Sequence, residues 1–258
     1  MKHPIDHFSP TGFALPGIRQ IGIGRPLAWL KAGWHDLRAN PLPSLAYGLL
    51  FALGGDLIIL ALLETPHLLT VSISGFFLVA PLLAAGLYEL SRKTEAGEKI
   101  LFIDSLKCFG RNGQSLAFFG LILALVALMW ERFSAVAFAL IGATSTSVAS
   151  VYLNEILFDG EHLAFAATWF VLGGALALFV YALAVVSVPL MLDRDADVAT
   201  ATMTSLRVFA LNTAPLLLWA ALLVGLTLLG FATLLFGLIV IMPVLGHASW
   251  HAYRELVE

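Results

Sequence analysis

Apolar residues along this chain run in long stretches; they do not alternate or recur at one helical face. Six stretches approach the roughly twenty residues that carry a helix across a bilayer. They are Leu42–Leu63, Leu68–Leu90, Gln114–Trp130, Leu163–Leu192, Thr213–Leu229 and Phe231–His247. Each is expected to be a transmembrane helix, because backbone in hydrocarbon must satisfy its own hydrogen bonds and a helix does so locally. The last two are separated by little more than Gly230, which predicts a tight hairpin of short spans. Leu163–Leu192 is longer than a bilayer needs, and Gly173-Gly174 is expected to let it tilt or bend. Phe133–Leu153 starts apolar and turns into ATSTSVAS. It is expected as a short helix at the outer surface or dipping partway in, not as a seventh span.

Composition points the same way. Of 258 residues, 60% are hydrophobic and 12% charged, and the mean hydropathy is +0.92. A soluble domain carries roughly twice that share of charge, so lipid is the expected solvent. A net charge of −3 argues against nucleic acid, whose partners usually present a basic stripe. The single Cys108 excludes an intrachain disulfide and the common zinc ribbons. The first forty residues hold no apolar core with a small-residue cleavage site, so no cleaved signal peptide is expected.

Charge sets the expected orientation. Basic residues in short loops mark the cytoplasmic side. With six spans, all but Arg132 of the 14 lysines and arginines fall on one side, before the first span, in the second-to-third and fourth-to-fifth loops, and in the tail. The opposite loops carry Glu64, Glu131, Glu155, Asp159 and Glu161. A seventh span would move Arg194, Arg207 and Arg254 outside. The chain is therefore expected to be multi-pass in a cytoplasmic (inner) membrane, with both ends cytoplasmic.

Three segments before odd-numbered spans echo one another: GWHDLRANPLPSLAYG, SLKCFGRNGQSLAFFG and SLRVFALNTAPLLLWA. Aligned on Asn40, Asn112 and Asn212, they superpose Trp34, Leu106 and Leu206, then Leu37, Phe109 and Phe209; Lys107 and Arg207 coincide, whereas His35 departs. The residues before Asn40 place Leu27, Leu30, Trp34 and Leu37 on one side and Arg25, Lys31, His35 and Arg38 on others. Such a helix lies in the membrane interface and directs its cations to headgroups. Each asparagine is expected to end its helix in a left-handed conformation. Pro81, Pro189 and Pro243 fall in the inner halves of the even spans, where proline kinks a helix. The expected fold class is an all-α membrane protein of six transmembrane helices in three pseudo-repeated hairpins, at about 25–92, 99–192 and 196–254, each introduced by a cytoplasmic amphipathic helix. Residues 1–24 are expected as a flexible cytoplasmic segment before this single domain, 25–258.

LRANPLPSLAYGLLFAL, APLLAAGLYELSR, VPLMLDRDADVATATMTSLR and PVLGHASWHAYREL resemble the bacterial membrane proteins grouped as domain of unknown function 2189. The resemblance covers nearly all the chain after about residue 20, with the DRD and GHASWHAY elements most specific and Phe133–His162 as its variable part. It implies a polytopic bacterial inner-membrane protein. Some relatives carry a cytochrome c oxidase label, but no activity comes with the family.

Few residues are placed for chemistry. Asp56 interrupts an apolar span, where a carboxylate needs a partner or a water-filled cavity. It reads as part of a proton or cation relay, as a charge partner for Arg132, or as a cap on a Gly54-Gly55 break near the outer end. His247 and His251 stand one helical turn apart and could face one metal ion, with Tyr88 and Glu89 at similar depth. They cannot clamp a haem iron from both faces. The competing reading is an interfacial belt with Trp250 and Tyr253, matching Trp34, Arg38, Lys107 and Arg207 as anchors. Asp193-Arg194-Asp195-Ala196-Asp197 lacks the glycine and closing glutamate of a calcium loop, so Asp197 is expected to cap the next helix. Walker, GxSxG, HExxH and CxxC patterns are absent, and enzymatic activity is not expected.

Three functions fit. The first is a non-catalytic membrane scaffold, partner-binding or assembly factor, for instance around a respiratory complex, with the lipid bilayer and other membrane subunits as partners and no cofactor. The second is a permease for a small or amphipathic solute, which needs a cavity reaching Asp56. The third is a metal or haem protein using His247 and His251. The charge split itself is testable: a reporter fused after Glu258 is expected to read cytoplasmic and one inserted near Asp159 periplasmic. The same reading at both sites would break the six-span arrangement.

Overall fold

The computed structural model of the chain describes residues 15–64, 83–140 and 163–258. Residues 68–82 of the second expected span, with Pro81, lie outside the described residues. So do Lys2 and residues 141–162, which include Glu155, Asp159 and Glu161. All regular secondary structure among the described residues is helical apart from one isolated antiparallel bridge, Ile18 to Val257. Four helical stretches in it are long and apolar enough to cross a membrane: Pro41–Ile59, Phe102–Ser134, Ala167–Arg194 and Thr213–Ala232.

The chain opens with α1 (Arg25–Ala39), started by Pro26 in its first turn, where a missing N–H costs no helical bond. It ends at Asn40 because Pro41 disfavours helical geometry in the residue before it. There follow α2 (Pro41–Glu64), α3 (83–95) and α4 (Phe102–Ser105), the last continued by a 3-10 turn, Leu106–Cys108. Beyond these lie α5 (Phe109–Leu140), α6 (Leu163–Ala184), α7 (Ser187–Arg194), α8 (Val198–Leu211), α9 (Thr213–Ala232) and α10 (Leu238–Leu256).

Three asparagines interrupt the helical path. Asn40 (φ −137°, ψ 66°), Asn112 (φ −141°, ψ 41°) and Asn212 (φ −129°, ψ 36°) each stand where a helix meets the apolar helix after it. The expected left-handed cap is not used, since φ is negative at all three. Each side chain instead bonds remote backbone. Asn40 donates to Ile100 O (3.1 Å), just ahead of α4, and Asn112 donates to Met191 O (3.0 Å) and Ala196 O (2.9 Å), just ahead of α8. Asn212 donates to Arg19 O (3.1 Å) and accepts from Ile21 N (2.9 Å), ahead of α1. The expected flexible segment is thus held at its end, where Arg19 N also donates to Leu256 O (3.0 Å) and Glu258 N to Gly17 O (2.9 Å).

Several sequence expectations change. Leu163–Leu192 does not bend at Gly173-Gly174: α6 runs through both, and Gly173 makes room for the Trp130 ring, whose Cζ2 would lie 2.8 Å from a Cβ there. The break comes at Val186, because Pro189 cannot donate to the carbonyl four residues back. Ser205 on α8 patches it, donating to Ala182 O (2.7 Å) and accepting from Val186 N (3.3 Å). The third span is not cut at Glu131-Arg132; α5 continues to Leu140, with Trp169 of α6 donating to Ser134 Oγ (2.9 Å). The last hairpin does not turn at Gly230. The turn occupies 233–237, and α10 falls at Leu238–Leu256 in place of Phe231–His247, outside the four apolar stretches.

The buried face of α1 also differs from the expected one. Leu27 (60% exposed) and Trp34 (41%) point outward, while Pro26, Trp29, Gly33, Asp36 and Leu37 pack inward. The reason is α10, against which α1 and α2 both pack. A Cβ on Gly33 would lie 2.5 Å from Val244 O and 2.7 Å from Ala248 N, so the helices meet backbone to backbone. Gly48 of α2 abuts Ile239 O, the carbonyl that Pro243 leaves without its helical partner. Trp29 then stands edge-on to Trp219 (5.6 Å between centroids) in the core. Replacing Gly48 by valine is expected to cost about 1–3 kcal/mol through overpacking against α10. It would appear as a lower detergent-solubilised melting temperature, whereas Gly22→Ala, with open space around it, is expected to leave that temperature unchanged.

Candidate functional site

Two places gather the residues that could carry function. The first lies where α1, α2, α3 and α10 meet. His247 is fully buried there, with Ser44 Oγ 2.9 Å from Nε2 and Ser91 Oγ 2.8 Å from Nδ1. Ser44 gives its one proton to Asn40 O (2.8 Å), so it accepts from His247 Nε2–H, leaving Nδ1 as an acceptor. Ser91 stands between that nitrogen and the Asp36 carboxylate, with a single proton to serve both. Asp36, 4% exposed, meets His251 Nε2 at 2.9 Å. His251 Nδ1 is 3.6 Å from Glu95, which also pairs with Arg254 at 3.4 Å. Burial pushes the Asp36 carboxyl pKa up, but hydrogen bonds from His251 and Ser91 and the neighbouring histidines outweigh it and hold the group below the usual carboxylate range.

His247 and His251 are therefore joined through Ser91 and Asp36 and do not converge on one point. Every ring nitrogen already faces a protein group, and among the described residues no three His, Cys, Asp or Glu side chains are placed to hold a metal ion. Glu89, beside this cluster, accepts from Arg92 (2.8 and 2.7 Å) and Arg111. Trp250 and Tyr253, expected as interfacial anchors, are instead core residues at 1% and 0% exposure; Tyr253 donates to Asp193 Oδ2 at 2.7 Å. They face inward because α10 is enclosed by its neighbours over this turn. Trp34 and Arg38 are exposed and stacked (5.0 Å), Lys107 is exposed and paired with Asp104, and Arg207 is exposed on α8. Asp197 accepts from Thr200 N (2.9 Å) and Thr200 Oγ1 (2.7 Å) at the start of α8, and these bonds hold its pKa low.

The second place is the opposite end of α2. A cavity of about 550 Å³ lies between α2, α9 and the turn into α10. Among the described residues its walls are apolar apart from Asp56 and Thr227. Asp56 sits inside an unbroken helix, so it does not cap a Gly54-Gly55 break. It also makes no ion pair with Arg132, which pairs with Glu131 at 3.0 Å. Leu234 (φ 52°) and Leu235 (φ 68°) form the turn over the cavity, and Leu235 packs on Gly55. Two consecutive non-glycine residues in left-handed geometry are strained and need packing to hold them.

Sequence reasoning passed over Ser44, Ser91, Asp36, Glu95 and Thr227. A signal existed for Asp36: it lies three residues after Gly33, on the face where only glycine lets another helix approach. Nothing local marks Ser91 or Thr227, because their importance comes from what another helix brings to them.

The Asp36 cluster supports a pH prediction. A carboxyl whose folded pKa is depressed stabilises the fold above its unfolded pKa, about 4, and loses that contribution as pH falls through the folded value. Asp36→Asn is expected to cost about 1–3 kcal/mol at pH 7, with the deficit in melting temperature shrinking as pH falls below about 4. A deficit independent of pH would mean that the charge contributes nothing.

Comparison with known proteins places the chain. Neither a curated protein nor a solved structure matches it. Residues 68–193, however, match the family described as "Predicted integral membrane protein (DUF2189)", the one its motifs resemble. Through this region, just under half of its length, the chain is similar to that family of predicted integral membrane proteins.

Proposed function

We propose that this protein is a non-catalytic frame of the bacterial inner membrane. On this reading it has six spans in three hairpins, with both ends cytoplasmic, and it holds partner subunits in place without passing a solute between compartments. The observation that carries this reading is the closed set of asparagine bonds: Asn40 ties to the segment before α4, Asn112 to that before α8, and Asn212 to that before α1. Each unit is fastened to the next, and the third returns to the first. Positions around the asparagines support the same threefold plan. Seven residues on, Tyr47, Phe119 and Trp219 are buried; four residues before, so are Asp36, Cys108 and Val208; six residues before, Trp34, Leu106 and Leu206 are 41%, 38% and 37% exposed.

A frame locked by directional bonds resists the rearrangement that alternating access needs. The polar cluster at the α1 end is closed on itself through Ser44, Ser91 and His247, and among the described residues only Asp56 and Thr227 bring polar side chains to the cavity on the Asp56 side. These features favour holding over transport. Photocrosslinking in native membranes from exposed α1 and α8 positions, such as Trp34 and Leu206, is expected to capture the same membrane subunit at both. Asn112→Ala should reduce that capture several-fold while the protein still accumulates in the membrane. A protein that crosslinks to lipid alone and purifies without a companion would sink the proposal.

A further inference from the structure

The cavity beside Asp56 has a chemistry that the frame does not use. Its volume, about 550 Å³, falls within the roughly 300–1,000 Å³ range of ordinary small-molecule sites. Phe51, Phe231, Leu234 and Leu238 give it an apolar wall, and that wall would fit any hydrocarbon group. Asp56 makes the site selective. It stands exposed toward the far end of α2, near the close of its apolar stretch, with no hydrogen bond or ion pair to the described residues. The other charged clusters of the described chain, around Asp36 and Glu89, are paired internally; this carboxylate is not.

We propose that this cavity binds a lipophilic cation, with its apolar body against Phe51, Phe231 and Leu238 and its positive centre beside Asp56. Charge complementarity decides the class. A carboxylate facing hydrocarbon without a partner is costly. A cation removes that cost, an anion raises it, and a neutral lipid tail leaves it in place. Within a low-dielectric surround one such pair is stronger than on an exposed surface. Thr227 on the facing helix is the other polar side chain among the described lining residues.

The turn over the cavity gives the site its cover. Leu234 and Leu235 are in left-handed geometry, and Leu235 packs on Gly55, one residue before Asp56. The cover and the carboxylate are therefore positioned by the same turn of α2. No passage across the membrane follows from this. The site lies about 18 Å along α2 from Ser44, at 1.5 Å per residue.

The test uses the full chain, purified in detergent and immobilised, with labelled tetraphenylphosphonium as the cationic probe. Tetraphenylsilane, of the same shape and no charge, is the neutral probe, and empty micelles are the blank. The cation is expected to be retained saturably and at least tenfold more tightly than the silane. Asp56→Asn should lose at least tenfold in affinity for the cation without changing silane retention, and Asp56→Glu should retain most of the binding. Thr227→Trp, which fills the space from the facing helix, should abolish saturable retention. Elution volume and helical circular dichroism show whether each variant is folded. Equal retention of the two probes, or an Asp56→Asn protein that binds like the parent, would overturn the assignment to cations. Absence of saturable retention for both probes would overturn the site itself. Neither result bears on subunit capture, so the frame stands or falls separately.

Discussion

Where a helix ends inside a bundle surrounded by hydrocarbon, its last carbonyls and the next segment's amides lose partners that water would otherwise replace. Asn40, Asn112 and Asn212 meet that constraint here. Each leaves helical geometry, lets the chain change direction, and spends its carboxamide on carbonyls of a segment far away in sequence. A hydrophobic residue at these positions would strand those groups. An aspartate could not donate to them. The rest of the architecture depends on these junctions, because they fix where each apolar helix starts and which segment lies beside it.

The same economy governs the α1 end. Polar residues there look like functional candidates when read singly, above all the two histidines. Placed together they form a connected network, in which Ser44, Ser91 and Asp36 meet the imidazole nitrogens. Burial and pairing go together for these groups because an unpaired polar group in the core costs more than a hydrogen bond returns, although the indole N–H of Trp250 nearby on α10 has no partner among the described residues. Gly33 and Gly48 let α10 approach closely enough for these bonds to form, and the carbonyl freed by Pro243 faces Gly48 instead of lipid. Proline and glycine therefore act as a complementary pair across the helix interface, not as separate hinges.

Asp56 breaks that economy. Its helix is unbroken, its expected partner Arg132 is engaged by Glu131, and the space before it is apolar. A network of directional bonds at one end of α2 and, at the other, a carboxylate with no partner among the described residues beside a strained turn give the two ends different characters. On the proposed reading these are compatible, since a ligand bound at the edge of a frame does not require the frame to open.

The membrane class, the helical content and the starting points of α2, α6 and α9 are determined by the sequence alone. Long runs without charge have one solvent and one way to satisfy their backbone, whatever else the chain does. The family resemblance and the special status of the three asparagines were legible for a related reason: local composition around a junction is visible in one dimension. The tertiary structure alone decided which face of α1 is buried, that Trp250 and Tyr253 belong to the core, and that the histidines pair through Ser91 and Asp36. It also decided that Asp56 faces a cavity and not Arg132. Hydrophobicity tells a residue to leave water. In a chain whose outside is also apolar, it cannot say whether the residue meets lipid or protein. That choice is made by close approach at Gly33 and Gly48 and by directional bonds between distant segments, which no local pattern encodes.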